Sequence, residues 1–171
     1  MKKRLLILAA VVVLALMLAI PASASQAHSF SFTGTDLYVT AYDLVDYKPA
    51  GNRCFVAVHV EGVQYTGDLD ATGTYDYRTL SKGPCSAAQG TVEETFHVDK
   101  WFTGKLLGRQ GTFTASCNGH FYIDEPARWE GHCVLKGESG ELARLHGTLD
   151  WTGLLSEQGV KRSYWGVVHF D

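Results

Sequence analysis

A chain of 171 residues with 46% hydrophobic residues is long enough for one domain with a sizeable core. Its formal charge of −3 excludes the class of nucleic-acid binders that grip phosphates with a basic face.

The chain begins with basic Lys2, Lys3 and Arg4, continues with sixteen apolar residues over 5–20, and then offers a small-residue site at Pro21-Ala22-Ser23-Ala24. That order is the pattern of a secretory signal peptide, with cleavage expected after Ala24. The rival is an uncleaved anchor, for which sixteen apolar residues fall short of the roughly 20 that span a bilayer. The expected mature product is a single domain over 25–171, secreted and soluble. Without the three leading cations, twelve basic residues face eighteen acidic ones, a net charge of −6.

From there on, apolar residues recur with period two rather than 3.6. Strands are predicted, in order, at about 29–33, 36–45, 54–66, 68–77, 91–101, 112–121, 129–137, 145–152 and 163–170. The clearest alternate strictly: Leu69, Ala71, Gly73, Tyr75 and Tyr77 against Asp68, Asp70, Thr72, Thr74 and Asp76. Each such strand has a dry and a wet face, as in an antiparallel sheet wetted on one side. Gly73, Gly119, Gly131, Gly147 and Gly166 fall inside predicted strands, where glycine marks bulges and bends. This predicts an all-β fold, a single antiparallel β-barrel of about eight strands around one interior.

Four cysteines follow the leader, and an even number in an oxidising compartment suggests two disulfides. Folding 111–121 against 129–137 about a turn near Asp124-Glu125-Pro126 sets Cys117 opposite Cys133 on the dry face. A cross-strand disulfide, two free thiols, or zinc binding with His120 and His132 all remain open. Strand geometry disfavours zinc, because residues an odd number apart diverge. If Cys117 and Cys133 pair, Cys54 and Cys85 pair by elimination. His59, His97, His120, His132 and His146 take the polar phase and read as surface residues; His169 is ambiguous. No metal site and no cofactor are expected.

On the dry face the sequence collects Tyr75, Tyr77, Phe96, Phe113, Phe121, Trp129, Trp151 and Tyr164 as candidate pocket residues. One carboxylate, Glu94, shares the phase of Val92 and Phe96. An acid in an apolar cavity has a raised pKa and serves as an acid–base group or orients a ligand. Its neighbour Glu93 leaves the phase uncertain by one residue, and a slip reverses the reading.

Trp101-Phe102-Thr103-Gly104, Gly108-x-x-Gly111-Thr112-Phe113, the segment Gly137-Glu138-Ser139-Gly140-Glu141-Leu142-Ala143-x-Leu145-x-Gly147-Thr148, and the C-terminal Tyr164-Trp165-Gly166-x-Val168-His169-Phe170-Asp171 resemble small bacterial barrels related in fold to plant allene oxide cyclase. The resemblance covers roughly 56–171 and implies an allene-oxide-cyclase-like or lipocalin-like barrel. The plant enzyme's catalytic residues do not map onto this chain, so no activity is carried over.

The reading that follows is a secreted barrel binding a small apolar or amphipathic molecule in an aromatic lumen. A second is a cyclase or isomerase acting on a reactive hydrophobic substrate through tyrosines and Glu94. A third is a non-catalytic structural or interaction protein of the cell envelope, for which outward Trp101 and Trp165 speak.

Overall fold

The computed structural model describes residues 27–35, 41–87, 91–124, 126–156 and 159–171. The leader expected over 1–24 lies outside them. Among the described residues nine antiparallel strands form one sheet: β1 (His28–Thr35), β2 (Ala41–Ala50), β3 (Arg53–Gly67), β4 (Leu69–Ser81), β5 (Glu94–Leu106), β6 (Arg109–Tyr122), β7 (Arg128–Gly140), β8 (Leu145–Ser156) and β9 (Gly159–Phe170). Among the described residues no helix is long and apolar enough to cross a membrane.

From β3 to β9 each strand pairs with the next, so hairpins alone build this part of the sheet. The β5–β6 hairpin is the tightest kind. Leu106 pairs with Arg109, and both intervening residues, Leu107 (φ 52°) and Gly108 (φ 78°), are left-handed. That is the turn whose twist matches the flanking strands.

The sheet order runs β1-β9-β8-β7-β6-β5-β4-β3-β2. β1 also pairs with β3, over four residues, Phe32–Thr35 against Gln64–Gly67. The sheet is therefore rolled but not sealed. Its two sides meet along this short seam, while β2 pairs with the other half of β3, Arg53–Glu61. The sealed eight-stranded barrel expected from the glycine pattern is met only to this extent.

A bulge lets β3 serve both neighbours. Cys54, Val58 and Val60 are buried at even positions, Val63 and Tyr65 at odd ones, and the register shifts between Val60 and Val63. Gly62, at φ 72°, sits in the gap and absorbs the extra residue.

The other strand glycines correct an expectation. Gly73 does flank a register shift, as the partner of Val63 across the Val60/Val63 bulge, whereas Gly119, Gly131 and Gly147 are away from the shifts, which fall at Leu44/Asp46, Val60/Val63 and Thr112/Phe113. All four make room. A Cβ on Gly73 would meet the Tyr65 ring, on Gly119 the Glu130 carbonyl and the Phe96 ring, and on Gly131 the Trp151 ring. At Gly147 it would meet the β9 backbone and Val168. The interior is filled by rings laid across glycines.

Strand boundaries differ mainly at β2, expected at 36–45 and observed at Ala41–Ala50. Between Asp43 and Ala50 only Asp46 is not fully exposed, so no dry face was there to set the phase.

Both disulfides are formed, Cys54–Cys85 and Cys117–Cys133, and none of the four thiols is free. This closes the free-thiol and zinc alternatives. Cys117 and Cys133 are cross-strand partners, and the same register sets His120 opposite Glu130.

Candidate functional site

β4 and β5 run in unbroken register from Leu69↔Leu106 to Ser81↔Glu94. Their inward phases bring Thr79, Ser81 and Glu94 together at one end of the interior, all buried. There the packed core gives way to a cavity of about 310 Å3. Its walls are mainly apolar, from Leu44 and Val56 on the β2–β3 side to Pro84, Ala87 and Val92 on the β4–β5 connection. The Cys54–Cys85 disulfide is part of the lining and ties β3 to that connection. Tyr47, also in the lining, donates its hydroxyl to the Cys85 carbonyl. Lys82 pairs with Glu93 outside, and its amide donates to the Glu93 carbonyl at 2.8 Å, closing the base of the connection.

Glu94 is the acidic group of this cavity, and it is 5% exposed. Thr79 donates to its Oε2 at 2.9 Å and Tyr77 to the same oxygen at 3.4 Å. Burial pushes its pKa above the ordinary carboxyl value, and the two hydroxyls oppose that rise. Tyr77 is likewise raised, by burial and then by the nearby Glu94 charge. The arrangement is a hydrogen-bonding acid at the wall of an apolar chamber.

The eight aromatic candidates occupy the interior, but the cavity is not lined by them. Six are buried (Tyr75, Phe96, Phe113, Phe121, Trp151 and Tyr164), and Tyr77 and Trp129 are partly so. They stack as a solid column. Ring centroids step from Tyr77 to Phe96 (5.3 Å), Trp151 (5.5 Å), Tyr164 (6.3 Å), Tyr65 (5.7 Å), Phe102 (5.1 Å) and Phe113 (4.5 Å). Phe121 and Trp129 pack on each other beside the Glu94 end, at 4.3 Å, and Glu94 is the cross-strand partner of Phe121.

Sequence reasoning missed Tyr65 and Phe102 in this column, and Thr79 and Ser81 at the cavity. It also missed two buried cations, Lys100 and Arg162. Lys100 shares the even phase of Glu94, Phe96 and Val98, and Arg162 that of Tyr164 and Val168, so the signal was present. Tyr65 was hidden by the phase change at Gly62.

Four histidines, His59, His97, His132 and His146, lie beside carboxylates. His59 Nδ1 is 2.6 Å from Asp76, His132 Nδ1 2.6 Å from Asp150, and His97 Nε2 3.0 Å from Asp99. Hydrogen bonds to Asp76 and Glu61 raise the His59 pKa. Among the described residues no group of three or more His, Cys, Asp or Glu could hold a metal ion.

Comparison with known proteins places this architecture. The family described as "Protein of unknown function (DUF3224)" matches residues 34–164, most of the chain. The chain belongs to the DUF3224 family. A solved DUF3224-family protein of unknown function from Shewanella oneidensis MR-1 is similar to it in fold. The TM-score is 0.56 at 18% identity, over 85% of this chain and 99% of that one. No curated protein matches. The DUF3224 match spans β2 to β8, and with them every residue of the cavity wall and the carboxylate.

Proposed function

We propose that this DUF3224 protein is an exported binder of a small amphipathic molecule, held in the Glu94 cavity without chemical change. The carrying observation is the buried carboxylate at the wall of an apolar chamber, about 310 Å3 in volume. That is the lower end of the roughly 300–1,000 Å3 of small-ligand sites, and an apolar lining with few placed polar groups is their usual chemistry. Burial raises the Glu94 pKa, and in its protonated form the carboxyl would donate one hydrogen bond and accept others, which suits a neutral hydroxyl or carbonyl. The site of binding is thus at the end of the aromatic column rather than within it. Two disulfides support an oxidising destination, in keeping with the leader-like 1–24. The allene-oxide-cyclase-like or lipocalin-like class belongs to the same proposal: a sheet rolled around one interior site.

Native mass spectrometry of protein exported by its own host tests this reading. The expected result is a retained small molecule, absent from an Ala87→Trp variant whose indole fills the chamber. Wild-type protein that carries nothing, and a dye for apolar pockets that binds both forms equally, would sink it.

A second reading is an isomerase or cyclase, favoured by the Tyr77 hydroxyl 3.4 Å from Glu94. There the carboxyl would shuttle a proton while the phenol steadied a developing negative oxygen. Unchanged turnover of a candidate substrate by Glu94→Gln would remove it.

A further inference from the structure

A buried carboxylate is costly unless a cation or several hydrogen bonds compensate it, and an unpartnered polar atom at a cavity wall is where a ligand gains most. The Glu94 cavity has two such atoms. Tyr77 and Thr79 both donate to Oε2 of Glu94, and among the described residues no hydrogen bond reaches its Oε1. Ser81 is the cross-strand partner of Glu94, lines the same cavity and is 7% exposed. Its hydroxyl also has no partner among the described residues, and neither atom is sealed off from the open volume.

Nothing in the wall answers the charge. No lysine, arginine or histidine is among the residues that line the cavity. The lysines of the flanking segments are engaged elsewhere, Lys48 of β2 with Asp46 and Lys82 with Glu93. The acid registers this lack: burial raises its pKa, and only the Thr79 and Tyr77 hydroxyls oppose the rise.

The acceptors suit one kind of head group. Thr79 and Ser81 are two residues apart on β4, so both hydroxyls take the inward phase beside Glu94. Thr79 donates its proton to Glu94 and keeps lone pairs with which to accept. Glu94 Oε1, Ser81 Oγ and Thr79 Oγ1 are therefore three acceptors at one end of an apolar chamber. A primary ammonium has three donors, no acceptor, and the charge that the wall lacks. An alcohol offers one donor and no charge, and a carboxylate head would be repelled. Folding has already stripped the Glu94 carboxyl of most of its water, so an entering ammonium gives up only its own hydration, and the bonds it forms are charge-assisted. Protonated, the acid suits a neutral head group; ionised, it holds a cationic one more strongly, and the arriving charge itself favours ionisation.

We propose that Glu94, Ser81 and Thr79 form the head-group site for a primary organic ammonium, whose apolar body lies against Val56, Ala87 and Val92. The inference rests on the cavity being a binding site and names the class of ligand it takes. A volume of about 310 Å3 leaves room for a ring or a short chain beyond the head.

Calorimetric titration of the disulfide-bonded protein near neutral pH with benzylamine, benzyl alcohol and benzoate tests it, because the three share a ring and differ in the charge of the head. The expected result is benzylamine bound at least tenfold more tightly than benzyl alcohol, with benzoate weakest. Glu94→Gln keeps the shape, removes the charge, and should bring amine and alcohol within about twofold. Ser81→Ala should weaken benzylamine roughly threefold or more. Glu93→Gln, whose carboxyl lies outside against Lys82, should leave the preference intact. Benzyl alcohol bound as tightly as benzylamine, or a preference that survives Glu94→Gln, would overturn the ammonium assignment and leave the cavity a binding site. Absence of binding for all three probes, or binding unchanged in Ala87→Trp, would instead remove the cavity reading and this proposal with it. Should Glu94→Gln not fold, the wild-type comparison and Ser81→Ala decide.

Discussion

Replacing Gly131 with alanine puts one methyl group where the edge of an indole lies. The added Cβ would stand 2.9 Å from Trp151 Cζ2 and closer still to Cε2 and Nε1. The Gly131 backbone is outside the left-handed region, so alanine suffers no conformational strain there. The cost is therefore steric, and Trp151, 2% exposed among Phe96, Tyr164 and two cations, has little room to retreat. Overpacking of this kind costs about 1–3 kcal/mol. Loss of glycine's freedom in the unfolded chain returns about 0.4–1 kcal/mol. A net destabilisation of about 1–2 kcal/mol is expected. In a Trp151→Leu background the clash is absent and only the entropic gain remains, so Gly131→Ala should then be neutral or stabilising by up to about 1 kcal/mol. The coupling between the two positions is about 2 kcal/mol, within the range for residues in contact. Urea midpoints of the four proteins, with unchanged slopes, measure it. An equal cost in both backgrounds would refute the account of strand glycines as ring seats.

The disulfides close loops of different length, with separations of 31 and 16 residues. Chain entropy assigns them about 3.7 and 3.1 kcal/mol. Cys54→Ala/Cys85→Ala should lower the melting temperature by roughly 7–15 °C, and should also weaken ligand binding by loosening the cavity wall. Cys117→Ala/Cys133→Ala should cost at least as much, because both sulfurs are 0% exposed and their packing is lost too; a loss under about 1 kcal/mol for either pair would count against its bond. For Glu94 the folded pKa is raised, so the native state holds the proton more tightly than the unfolded chain. Stability should accordingly fall as pH climbs from the ordinary carboxyl value through the raised one. Glu94→Gln, which mimics the protonated acid, should flatten that slope in urea midpoints taken from pH 4 to 9, and an undiminished slope would assign it to other groups.

Some of this was legible because it is written in period two. Every strand but β2 could be placed closely, since alternation needs only local residues and β2 shows none, and the opposition of Cys117 and Cys133 followed from counting about one turn. Glu94 was a candidate on the phase of Val92 and Phe96, with Glu93 one residue away leaving that phase open, and it is buried beside Tyr77 and Thr79. Lys100 could have been read by the same rule. It was passed over because lysine is ordinarily at the surface. Tyr65 could not, since the bulge at Gly62 reverses the phase without any apolar pattern to announce it.

What the sequence determined by itself, then, is which residues of the regularly alternating strands face inward and that successive strands from β3 to β9 pair as hairpins, because pleat and hairpin are local consequences of side-chain polarity. It did not determine how the interior is occupied. Whether eight inward aromatics enclose a lumen or fill it depends on which ring meets which glycine across strands, as Trp151 does Gly131 and Phe96 does Gly119. Only the roll of the sheet sets those distances. It packs the middle solid, leaves the open volume at the Glu94 end, and gathers Lys100 and Arg162, 62 residues apart in the chain, over the same indole.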